Sequence, residues 1–131
     1  MIFRAALLAA ATVTALAPVP AQAAKPRPVT SLLGTYDFGR AAVIGQAGEN
    51  AGVWKSYTVR SGFAGDDLSI TYVRATSPSR SERTVYTAAF NEVKDAQAEC
   101  RKVGADGVAR RVWVSYRCRT GIVASYTLLV R

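Results

Sequence analysis

From Val112 onward the chain alternates apolar and polar side chains with a period of two, and this pattern restricts the fold more than any other feature of the 131 residues. Val112, Val114, Tyr116 and Cys118 fall on one face, and Trp113, Ser115, Arg117 and Arg119 on the other. After Gly121 the alternation resumes, with Ile122, Ala124, Tyr126, Leu128 and Val130 set against Val123, Ser125, Thr127, Leu129 and Arg131. Period two marks strands with one buried face. Two such runs divided by a glycine predict a hairpin. A loop of Arg119, Thr120 and Gly121 keeps like faces together by pairing Cys118 with Ile122, Val114 with Tyr126 and Val112 with Leu128. It also puts Gly121 where a three-residue hairpin favours a left-handed residue.

Upstream, Phe90, Val93, Ala96, Gln97, Cys100 and Val103 recur at helical spacing, with charged residues between them. Gly104 reads as the helix stop, Arg101 and Lys102 fall in the last turn, and Glu92 and Asp95 lie near the start, as the helix dipole favours. Asn91 is a candidate cap, which leaves residues 84–90 as a strand; extension of the helix back through Tyr86 is the alternative. Residues 53–60 and 68–74 are β-branched and aromatic runs joined by a turn-forming loop at 61–67, and residues 36–44 form a weaker strand. Residues 75–83 read as a polar basic loop.

The two cysteines tie these elements together. Cys100 lies on the helix's apolar stripe and Cys118 on the core face of the first C-terminal strand, so both point to one interior, as a bridge requires. The loop it closes is short, and in the chain-entropy account the bridge stabilises by about 3 kcal/mol. The expected fold is α+β: an antiparallel sheet of five to six strands with one covering α-helix tied to the sheet by the Cys100–Cys118 disulfide.

Residues 1–23 read as an address. Arg4 precedes an apolar run over residues 5–16, and Ala21-Gln22-Ala23 supplies the small residues of a signal-peptidase site. The run is shorter than the ~20 residues of a spanning helix. Residues 24–31 then form a Pro-rich lead-in, and residues 32–131 a single domain. Half the residues are hydrophobic, which excludes a wholly disordered chain, and the chain is too short for a repeat array. A leader, an oxidised cysteine pair and an Ala- and Arg-rich composition fit a bacterial protein exported to the periplasm or medium.

Catalytic signals are sparse. Without histidine the chain lacks the commonest neutral-pH base and the commonest metal ligand, and both thiols are committed to the bridge. Asp66 and Asp67 are adjacent but read as turn residues. The run from Gly45 to Gly52 matches neither dinucleotide- nor phosphate-loop spacing and reads as a hairpin connection. No cofactor or metal is expected, and no catalytic residue is assigned.

Charge carries more information. From Cys100 to the end there are seven cations and one anion, Asp106, so the net positive charge of the mature chain concentrates in this segment. Parity sets Arg111, Trp113, Arg117 and Arg119 on one face, turned away from the disulfide. An arginine-flanked tryptophan suits stacking with charge-assisted contacts to an anionic or glycan partner. The same face also fits a solvated surface, or a second core layer with Trp113 covered. The function expected is a small, exported, non-catalytic binding protein whose basic face meets an anionic envelope glycan or lipid, or an acidic protein. Nucleic acid would satisfy the same electrostatics, but export disfavours it as a partner in the cell. The alternative is a secreted hydrolase inhibitor acting through an exposed loop, 61–67 or 75–83.

Overall fold

A computed structural model describes residues 26–121 and 123–131. The expected signal peptide and Ile122, with its expected pairing, lie outside the described residues. Eight elements follow in order: β1 (Val29–Tyr36), α1 (Arg40–Asn50), β2 (Ser56–Ser61), β3 (Asp66–Tyr72), β4 (Arg83–Ala89), α2 (Ala96–Ala109), β5 (Tyr116–Thr120) and β6 (Ser125–Val130). They form two three-stranded antiparallel sheets, ordered β1-β3-β2 and β4-β6-β5. The α+β class and the strand count agree with the sequence, but the described residues form two sheets and two helices where one of each was expected.

The two halves are the same βαββ unit made twice. In each unit the first strand carries a bulge, between Leu32 and Gly34 and between Thr84 and Tyr86. The residues released from pairing, Leu33 and Val85, turn into the core. Gly45, Gly48, Val53, Trp54, Ser56 and Tyr57 recur at one constant spacing as Gly104, Gly107, Val112, Trp113, Ser115 and Tyr116. The reason for the pattern is steric. A Cβ on Gly48 would lie 1.9 Å from the Trp54 ring, and one on Gly107 would lie 2.1 Å from the Trp113 ring. Tyr57 and Tyr116 close in the same way on Gly45 and Gly104. Each indole Nε1 donates to the helix carbonyl nine residues earlier, Gly45 at 2.8 Å and Gly104 at 2.9 Å. Each helix is thus a glycine-faced platform on which the following Trp and Tyr lie flat.

This packing explains the largest departures from expectation. The Gly45–Gly52 run contributes to α1 rather than to a hairpin, and residues 40–44, expected in a strand, are its first turns. Glycine costs about 1 kcal/mol in an exposed helix, but burial of aromatic rings offsets it here. Likewise α2 runs through Gly104 instead of stopping there, and Asp95, not Asn91, caps it by accepting from Ala98 N at 3.0 Å. Residues 29–31, expected in the lead-in, belong to β1. Asp66 and Asp67 open β3 rather than forming a turn: Asp66 Oδ2 accepts from Gly39 N ahead of α1, and Asp67 accepts from Thr35 Oγ1 on the outer side.

The C-terminal hairpin forms with a different register. Cys118 pairs with Leu128, and Tyr116 with Val130, and Arg119 and Thr120, expected in the loop, belong to β5 and pair with Thr127 and Tyr126. The shift is even, so inward and outward residues keep their sides. Residues 112–114 precede the strand and belong to a turn, which removes the expected Val114–Tyr126 and Val112–Leu128 pairs. The disulfide joins α2 to β5 as expected, with Cα atoms 6.1 Å apart. Its Cys100 takes the place that fully buried Ala41 holds in the first repeat.

The halves meet where each helix packs on the first strand of the other, α2 on β1 and α1 on β4, with side chains joining the helix starts. Arg40 and Glu99, just before Ala41 and Cys100, occupy equivalent places and pair with each other through Nε–Oε1 at 2.8 Å and Nη2–Oε2 at 3.0 Å. Tyr86 adds a hydroxyl donor to Glu99 at 3.2 Å, and Tyr36 OH donates to Asp106 of the other half at 2.9 Å. Burial, reinforced by the facing carboxylate, pushes both phenols well above their ordinary range. The hydrogen bond to Glu99 raises the Arg40 guanidinium further.

Candidate functional site

The four residues expected on one basic face are not all brought together. Trp113 is 3% exposed and lies under α2, so it is a core residue, and its pattern position outside the true strand misled the parity argument. Arg111 is exposed in the turn after α2, at a positive φ of 58°, and its carbonyl accepts from Ala75 N at 2.7 Å. Arg117 and Arg119 do share the outer face of the second sheet, opposite Leu129 and Thr127 on β6.

Around these two arginines the surface is specific. Arg117 forks onto Glu82 through Nε and Nη2. That hydrogen-bonded fork holds the Glu82 carboxyl below its usual range, and the fields of Arg131 and Arg119 add to the effect. Sequence reasoning missed Arg131 and Glu82 as neighbours, because they come from the end of β6 and the segment before β4. Arg119 enters no ion pair among the described residues. It lines a shallow hollow of about 340 Å³ with Thr84, Thr120 and Thr127, whose hydroxyls supply neutral hydrogen-bonding groups. Thr127 and Thr87 are joined at 3.0 Å across β4 and β6, which fixes the hydroxyl row beside the guanidinium. This arrangement of a free cation, a buffered cation and fixed hydroxyls suits capture of an anionic group.

Elsewhere the exposed apolar groups cluster at loop tips. Phe63 projects fully from the β2–β3 loop, and Val123 is exposed in the matching β5–β6 loop. Phe38 and Phe90 likewise stand exposed ahead of α1 and α2. Among the described residues there is no group of three or more His, Cys, Asp or Glu placed to hold a metal, and no helix long and apolar enough to cross a membrane. A disulfide of this kind suits a compartment outside the reducing cytoplasm. In comparison with known proteins, no family matches this chain, and no curated protein or solved structure does so.

Proposed function

We propose that this is a small, exported, non-catalytic binding protein that uses the basic outer face of its second sheet, centred on Arg117 and Arg119, to hold an anionic envelope component or an acidic protein. The observation that carries the reading is Arg119, a cation without an ion-pair partner among the described residues, set in a hydroxyl-lined hollow beside the Arg117–Glu82 fork. Trp113 has no part in it, because its ring is buried. Export rests on the leader pattern of residues 1–23 together with the disulfide.

The test is calorimetric titration of the mature protein with heparin and with phosphatidylglycerol vesicles. Arg117→Glu/Arg119→Glu weakens binding at least tenfold, equivalent to the ~1.5 kcal/mol of one charge-assisted contact. Arg60→Glu, a charge reversal on the first sheet, weakens it far less. Equal losses from the two variants contradict the assignment and leave the charge explained by solubility.

A second reading, inhibition of a hydrolase, is favoured by one feature. Phe63 stands fully exposed at the tip of a loop anchored on both sides by strand pairing between Ser61 and Asp66. An apolar anchor on a held loop is what a cleft-inserting inhibitor presents. Such binding is insensitive to ionic strength and is lost in Phe63→Ala.

A further inference from the structure

We propose that the cleft between the two repeats is a second binding site, one that takes a small amphiphile with a single anionic head, a carboxylate or a phosphate, on an apolar body. The cleft holds about 640 Å³, within the range of small-molecule sites. It lies where the halves face each other, and its floor is built from matching residues: Val53 and Trp54 of the first repeat, Val112 and Trp113 of the second. Both rings are nearly buried, Trp54 at 2% and Trp113 at 3% exposed, and their N–H groups are spent on helix carbonyls, so only ring edges reach the floor and Val53, Val73 and Pro78 supply its accessible carbon. A polar ligand gains nothing from that floor, and an apolar body does.

The rim supplies the other half of the chemistry. Lys55, Arg83 and Arg131 line it, against one carboxylate, Glu49. None of these three cations forms an ion pair among the described residues. Arg83 reaches across the mouth to Ala51 O at 3.0 Å through Nη2, which fixes its guanidinium while leaving other donors open. An apolar floor under an unneutralised cationic rim is complementary to an anionic amphiphile, and the limited volume excludes a polymer. The cleft shares Arg131 with the edge of the outer face, but neither Arg117 nor Arg119 lines it.

The chain's two tryptophans both line this cleft, so intrinsic fluorescence reads its occupancy directly. The mature protein is titrated with dodecanoate, dodecyl phosphate and dodecanol below their aggregation thresholds, with calorimetry in parallel. A saturable one-to-one change with either anionic probe is expected, and the tighter of the two identifies the head group. Dodecanol binds at least tenfold more weakly. Lys55→Gln and Arg131→Gln, made singly and together, each weaken the anionic probe several-fold without moving the melting temperature, whereas Arg119→Glu leaves it unchanged. Absence of saturable binding overturns the proposal, as does equal binding of dodecanol. An equal loss in Arg119→Glu assigns the probe to the outer face instead. Loss of heparin binding in Arg119→Glu with the fluorescence titration intact separates the two sites.

Discussion

Replacing Gly107 by Ala tests the packing on which the fold rests. In an exposed helix this change stabilises by about 1 kcal/mol, because glycine loses more backbone entropy than alanine. Here the added Cβ meets Cε2 and Cζ2 of Trp113 at 2.1 Å. The ring cannot step aside, since it is 3% exposed and its Nε1 is bonded to Gly104 O. Overpacking of this kind costs ~1–3 kcal/mol, so the gain is cancelled or reversed: a net loss of up to about 2 kcal/mol is expected after the propensity gain is subtracted. For a domain of this size that lowers Tm by up to about 10 °C. Thermal and urea unfolding of the mature protein measure it. A second arm separates sterics from any other defect. In a Trp113→Leu background the ring is gone, so Gly107→Ala becomes neutral or stabilising, and the double-mutant cycle shows a coupling of about 1–3 kcal/mol. Gly48→Ala with Trp54→Leu repeats the result in the first half. A Gly107→Ala protein more stable than the parent refutes the glycine-platform reasoning.

Other perturbations follow from the same contacts. Glu99→Gln leaves Arg40, in a largely buried setting, only the longer contact to the exposed Glu92 at 4.0 Å and is expected to cost up to ~3 kcal/mol, with Arg40→Glu/Glu99→Arg recovering part of it, measured by urea unfolding. Tyr36 and Tyr86 are held protonated in the folded state, so their contribution is complete below the ordinary phenol pKa near 10 and is lost as pH rises above it. Absorbance titration is expected to show these two of the six tyrosines ionising only as the protein unfolds. For Glu82 the sign is opposite. Its lowered carboxyl favours the folded state at neutral pH, and that contribution fades as pH falls below the ordinary carboxylate range, which side-chain NMR titration of Glu82 detects. Reduction of Cys100–Cys118 lowers stability by about 3 kcal/mol, seen as a drop in Tm with a mass gain of a pair of hydrogens.

What the sequence revealed divides along physical lines. The inward side of Cys118, Leu128 and Val130 and the disulfide were legible because each depends on local periodicity or on redox chemistry, whereas residues 84–90 stayed open between strand and helix and proved to be a strand over Arg83–Ala89. The register of β5 on β6 was not, because alternation is blind to any even slip and the turn that decides it is centred three residues later. The first helix was hidden by its own glycines. Read singly, Gly45 and Gly48 are loop formers; only their recurrence as Gly104 and Gly107, each followed by Trp and Tyr, marks them as platforms for rings. That internal echo also carries the signal that Trp113 is core, since each tryptophan stands six residues after a helix glycine and ahead of the strand that follows. At the basic face, Arg117 and Arg119 were legible from parity, whereas Glu82 and Arg131 come to the same place only through the sheet order β4-β6-β5.

The claim that the outer face of the second sheet binds by charge is tested most directly by the salt dependence of heparin affinity. The logarithm of the association constant is expected to fall linearly with the logarithm of salt concentration for the parent protein, as cation-driven binding to a polyanion requires. In Arg117→Glu/Arg119→Glu the slope flattens, while Arg60→Glu keeps it near the parent value. A parent protein whose affinity ignores salt, or a slope unchanged when both arginines are reversed, contradicts the account.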